Sequence, residues 1–218
     1  MWCVPTLDQE YKERMEDILE CYQRPYNPKE PLIGVDELSK QLLEDKRPGL
    51  PCRPGKIAKY DYEYQRNGTR NLFIMVEPKA GKRKVKVTCR RKKPDFVYFM
   101  KEIAEKLYPN AKRIHVVLDN LNTHFENSFI ETLGKQPGKK LWKRFEFHYT
   151  PKHASWLNVA ENEIGVLSRQ CLNRRIPNEH ELKKEVQAWC RRRNKKRIKI
   201  DWTFDKKKAR KIFSELYT

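Results

Sequence analysis

Three acidic residues stand where a carboxylate could hold a metal ion. Asp36 follows the apolar run Leu32-Ile33-Gly34-Val35, and Asp119 follows Ile114-His115-Val116-Val117-Leu118. Glu161 falls in the first turn of a helical pattern that begins near Leu157. Both apolar runs read as buried strands, each delivering an aspartate at its end. Carboxylate oxygens with retained waters are the ligands Mg²⁺ prefers, with Mn²⁺ as a substitute. Two such ions ~3.5–4 Å apart stabilise the attacking and leaving oxygens of an in-line phosphoryl displacement. Two ions are therefore expected, and three acidic side chains are a sensible minimum for clamping them. Each residue alone also has a simpler explanation, since aspartates end strands as turn formers and Asn158-x-x-Glu161 is a helix-capping box. Glu37 and Glu163 are acidic rivals for the outer two positions, and only folding can bring such distant residues together.

The elements that must position them follow from periodicity. Leu7, Tyr11, Met15, Ile18, Leu19 and Tyr22 predict an amphipathic helix over residues 7–23, followed by a linker from Pro25 to Pro31. After the first strand, the alternation Lys59-Tyr60-Asp61-Tyr62-Glu63-Tyr64 predicts a second, with Asn67-Gly68 as its hairpin turn. Asn71 to Glu77 and Lys84 to Cys89 complete an antiparallel meander. A helix from Asp95 stops at Pro109, another lies near residues 126–134, and Phe145 to Tyr149 is a strand. The helix bearing Glu161 runs to a stop at Ile176-Pro177, Asn178 and Glu181 cap a further helix through Trp189, and a last one runs from Asp205 to Leu216. Strands first, then strand and helix in alternation, then helices only, predict an α/β sandwich around a mixed sheet.

Composition narrows the partner. Forty-eight Lys and Arg against 29 Asp and Glu give a formal charge of +19 in 218 residues, far beyond what solubility requires and suited to a polyanion. With 38% hydrophobic residues, the chain can build one compact core. Cys3, Cys21, Cys52, Cys89, Cys171 and Cys190 lie far apart without the spacing of a structural zinc site and read as reduced core thiols. No stretch approaches the ~20 apolar residues of a membrane span, and there is no signal-peptide core. The expectation is a soluble, intracellular protein without a membrane partner.

Longer motifs carry a family resemblance. Asp119-Asn120-Leu121-Asn122-Thr123-His124 resembles the second block of mariner-superfamily transposases, and Leu157-Asn158-Val159-Ala160-Glu161 resembles their third. Val159 departs from the proline often found there, which alters helix entry more than metal binding. Tyr60-Asp61-Tyr62-Glu63-Tyr64 with Arg66-Asn67-Gly68-Thr69, residues 149–158, and Leu167-Ser168-Arg169-Gln170-Cys171-Leu172 are similar to the bacterial insertion-sequence branch, the IS six-thirty group. The likeness runs from about Pro31 to the C-terminus.

This resemblance implies a ribonuclease-H-like fold with a mixed five-stranded sheet flanked by helices. It implies a metal-binding triad of Asp36, Asp119 and Glu161, and a domain spanning 31–218 after an N-terminal helix and linker over 1–30. The helix-turn-helix module that family members carry ahead of this domain is expected to be absent. The implied activity is cleavage of double-stranded DNA at transposon ends and strand transfer into target DNA at a TA dinucleotide, in the bacterial cytoplasm at the nucleoid, by a homodimer. Plain hydrolysis by a nuclease or resolvase, or DNA binding without catalysis, are the alternatives.

Asn120, His124, Lys152 and His153 are candidates to line the site or contact phosphate. His124 is equally suited to capping a helix or packing beneath the sheet, and Trp156 either stacks on a displaced base or sits in the core. Arg169, Arg174 and Arg175 lie on or just after the helix bearing Glu161. The runs Arg90-Arg91-Lys92-Lys93, Arg191-Arg192-Arg193, Lys195-Lys196-Arg197 and Lys206-Lys207-Lys208 are candidates for displacing counterions from DNA phosphates.

Overall fold

The computed structural model describes residues 7–217. Helix α1 (Gln9–Gln23) starts where the Asp8 side chain accepts the Tyr11 N–H. Strands β1 (Leu32–Asp45), β2 (Tyr64–Glu77) and β3 (Lys82–Thr88) form an antiparallel meander. Helix α2 (Lys93–Glu102) continues into a π-helical turn over Ile103–Leu107 and leads to β4 (Ile114–Leu118). Helices α3 (Glu126–Leu133) and α4 (Lys135–Trp142) precede β5 (Phe145–Tyr149). Helix α5 (Val159–Leu167) runs into a second π-helical turn over Ser168–Leu172, and α6 (Glu179–Lys195) and α7 (Lys206–Ile212) follow. The strands form one mixed sheet in the order β3-β2-β1-β4-β5, with β1, β4 and β5 parallel.

Strand parity divides the core. Ile33 and Val35 of β1, Phe73 and Met75 of β2, and Ile114, Val116 and Leu118 of β4 pack under α2 and α3 with Phe96, Phe99 and Phe129. Residues of the opposite parity turn to the other face. Val76 and Val117 meet α1 and α5, while Leu72 and Ile74 meet Leu167, Val186 and Trp189. Side chains alternate across a strand, so two helical layers cover the two faces, and Asp36 shares the α5-facing parity of Gly34.

The structure corrects several expectations. Residues 59–63 are not a strand: Tyr60 and Tyr62 are 79% and 85% exposed, because their alternating aromatics meet no apolar surface in the excursion joining β1 to β2. Asn67-Gly68 is not the hairpin turn either. Those two residues stand opposite the single residue between Gln41 and Leu43, a bulge inside β2 in which Gly68 takes the positive φ of 85°. Helix α4, with Pro137 and Gly138 in its sequence, was not expected. Pro137 falls within the first turn, where its missing N–H costs no helical bond. Helix α6 runs past Trp189 to Lys195. Among the thiols, Cys21 and Cys171 are buried but Cys52 and Cys89 are exposed, so these two are not core residues; Cys3 lies outside the described residues. Among the described residues no helix is long and apolar enough to cross a membrane.

Candidate active site

Parallel pairing of β1 with β4, with Gly34 opposite Val117, sets Asp36 and Asp119 at the same end of neighbouring strands. The third carboxylate arrives through Asn158. Its side chain caps α5 by accepting the Ala160 N–H (3.1 Å) and donates to the Val35 carbonyl (2.8 Å). It also approaches Asp36 Oδ2 at 3.4 Å. The capping residue therefore fastens the start of α5 to β1, and brings Glu161 in the first turn near enough to act on Asp36 through its charge. This approach requires Gly34. A Cβ there would lie 2.6 Å from Val159 Cγ1 and 2.9 Å from Asn158 Oδ1. Tyr22 of α1 braces the same turn, donating to the Leu157 carbonyl (2.8 Å) and accepting from the Val159 N–H (2.9 Å).

Electrostatics record the convergence. Burial pushes the Asp36 carboxyl up, and the nearby charges of Glu161, Asp119 and Glu37 push it further, to about 7 despite the bond from the Glu37 N–H. Among the described residues neither Asp36 nor Glu161 has an ion-pair partner. Like charges gathered in one place are costly to keep ionised, and an all-oxygen carboxylate set suits Mg²⁺ or Mn²⁺. The donor chemistry thus suits a divalent cation, while among the described residues the three carboxylates do not all bring an oxygen within 4.8 Å of one another.

The two rivals are engaged elsewhere. Glu37, of opposite parity to Asp36, turns to the other face and meets His124 Nε2 at 3.4 Å. Glu163 is 1% exposed and pairs with Arg83 (2.8 and 3.2 Å) and with Arg193 (2.8 Å). His124 is also buried, against Phe96, with ring centroids 4.3 Å apart. Its Nδ1 lies 3.1 Å from Asp119 Oδ1 and 3.0 Å from the Asp119 carbonyl. Burial pushes its pKa down, but the bonds to Asp119 and Glu37 outweigh this and leave it at about 9. Both readings of His124 thus meet in one residue, packed beneath the sheet and holding the Asp119 carboxylate.

A cleft of about 840 Å³ opens beside Asp119. Asn120, Lys152 and His153 line one wall, and Tyr11 and Arg14 of α1 the other. His153 holds a positive φ of 62°. Trp156 is 41% exposed and rests on Phe213 and Phe204, so it is not a core tryptophan. Arg169, Arg191, Arg192 and Lys195 are exposed. Arg174 pairs with Glu185 (2.8 Å). Arg175 is committed within the chain, to Asp45 (2.5 Å) and to the Glu63 and Tyr62 carbonyls. Sequence reasoning missed Arg14 and the positioning roles of Gly34 and Tyr22, because those roles rest on contacts between elements remote in the chain.

Comparison with known proteins bears on the fold and the family. By fold the chain is similar to Mos1 structures: the mariner paired-end complex with Mn (TM-score 0.55, 15% identity, 91% of this chain and 61% of that one), the transposase paired-end complex with left transposon end (0.52, 15%, 91% and 64%), and the strand transfer complex (0.52, 14%, 91% and 64%). The chain thus spans less than two thirds of their length. No curated protein sequence matches it significantly. The model of the DDE superfamily endonucleases matches residues 31–183, most of the chain and all three clustered carboxylates, and the protein belongs to that family.

Proposed function

We propose that this chain is the catalytic domain of a DNA transposase, with Asp36, Asp119 and Glu161 as its metal-binding triad. The observation that carries the reading is geometric: β1 and β4, paired in parallel, end at Asp36 and Asp119, and Asn158 fastens the first turn of α5, which bears Glu161, to β1 beside them. Divalent cations bound there would supply charge stabilisation at the attacking and leaving oxygens of a phosphodiester. His124 keeps the Asp119 carboxylate oriented from behind. Asn158 and Gly34 keep Glu161 against β1. Lys152, His153 and Asn120 receive the phosphate backbone in the adjoining cleft, and the exposed Arg169, Arg191, Arg192 and Lys195 extend the basic track. The reaction is hydrolysis at element ends followed by attack of the freed 3′-hydroxyl on target DNA, at TA, by two copies of the chain each holding one end. Residues 31–218 form the catalytic domain, and the motifs quoted above favour the IS six-thirty branch.

The test incubates the protein with element-end DNA and Mg²⁺ or Mn²⁺ and separates nicked from strand-transfer products. Both products are expected, and D36N should bind DNA while yielding neither. Nicks without joined products would assign a plain hydrolase. Undiminished cleavage by D36N would exclude this triad.

A further inference from the structure

Away from the carboxylates, three elements bring soft ligands together. Cys21 of α1, His115 of β4 and His148 of β5 are all buried, and their ligand atoms lie within 4.8 Å of one another. Cys21 Sγ is 3.5 Å from either ring nitrogen of His148, and His115 Nδ1 is 3.0 Å from His148 Nε2. Tetrahedral Zn²⁺ with the usual bond lengths sets its ligands ~3.3 Å (N to N) and ~3.6 Å (N to S) apart.

The surroundings match a metal site. Asp17 Oδ2 lies 2.6 Å from His148 Nδ1, so a carboxylate orients the ring and leaves Nε2 facing His115, as metal-ligating histidines require. Glu146 Oε2 lies 3.9 Å from His115, its charge shared with Arg113 at 3.1 Å. Arg24 lies 3.3 Å from His115 Nδ1; it is an exposed residue whose side chain can turn away. A cleft of about 200 Å³ lined by Cys21, Arg24, Glu30 and His115 gives an entry path.

The geometry points to a second metal site, in which Cys21, His115 and His148 bind a thiophilic divalent cation such as Zn²⁺ and water takes the fourth position. Binding releases to solvent the Cys21 thiol proton and the proton on His148 Nε2, leaving a thiolate and two neutral imidazoles on the metal. The ion ties α1 to β4 and β5 one residue from Tyr22, which braces the start of α5. It is a clamp beside the carboxylate cluster, not part of it.

Titration of the full chain with Co²⁺ in saturating Mg²⁺ tests the site. One equivalent should produce a thiolate-to-cobalt charge-transfer band and the visible bands of a four-coordinate ion, and Zn²⁺ should bleach both. C21S should lose the charge-transfer band. D17N, which alters a residue at the helix surface, should keep the band but weaken binding 10- to 100-fold. Zn²⁺ should raise the melting temperature of the unaltered chain and not that of C21S. Absence of the band from the unaltered chain, or a band of equal strength in C21S, would overturn the proposal.

Discussion

Gly34 and Asn158 are in such close contact that a single methyl group at residue 34 would come within 2.9 Å of the asparagine oxygen and 2.6 Å of Val159. The side chain that caps α5 is the one that grips β1, so the spacing of strand and helix rests on that missing methyl.

G34A should therefore separate α5 from β1. Overpacking of this kind costs about 1–3 kcal/mol, read as a lower denaturation midpoint with unchanged slope. Metal affinity should fall as well, because Glu161 moves with α5. A stability and a metal affinity both equal to those of the parent would show that the contact positions nothing.

Glu161 and Glu163 give opposite predictions two residues apart. E161Q removes a charge from a cluster of like charges, so the metal-free protein should be as stable as the parent or more so, while cleavage and divalent binding are lost. E163Q leaves Arg83 and Arg193 buried with a neutral partner, and breaking such a pair costs about 3–5 kcal/mol. Thermal unfolding in a chelator, run beside a Mg²⁺ binding isotherm, distinguishes the two. The reverse pattern would exchange their roles.

His124 predicts a pH dependence. Its folded pKa, about 9, lies above the ordinary value of roughly 6.5. The protonated ring's contribution is therefore fully present below about 6.5 and is lost as the pH rises through about 9. H124Q should be less stable than the parent at pH 6, by up to about 3 kcal/mol, with the difference shrinking toward pH 10. Denaturation in a chelator at several pH values measures it, and a difference that does not change with pH would remove the ionised ring from the account.

Much of the fold around the three carboxylates was legible in the sequence because apolar strand runs and helix caps are local. The alternation of Ile33 and Val35 put Asp36 on one face and Glu37 on the other, and Asn158, Asn178 and Asp205 each cap the helix that follows them. What escaped depends on contacts remote in the chain. Asn67-Gly68 has the composition of a turn, yet it makes a bulge because the 14-residue β1 continues past it to pair Leu43, Glu44 and Asp45 with Arg66, Gln65 and Tyr64. Tyr60 and Tyr62 alternate as a strand would, but no surface receives them. The grouping of Cys21, His115 and His148 has no spacing signal, because a helix and two strands supply one ligand each.

The most direct test of the central claim is anomalous diffraction from crystals of the protein soaked in Mn²⁺. Peaks are expected among Asp36, Asp119 and Glu161, close to the ~2.0–2.1 Å from carboxylate oxygens of Mg²⁺ sites, and absent from D36N crystals. Manganese bound elsewhere, with these three carboxylates left unliganded at saturating concentration, would contradict the account.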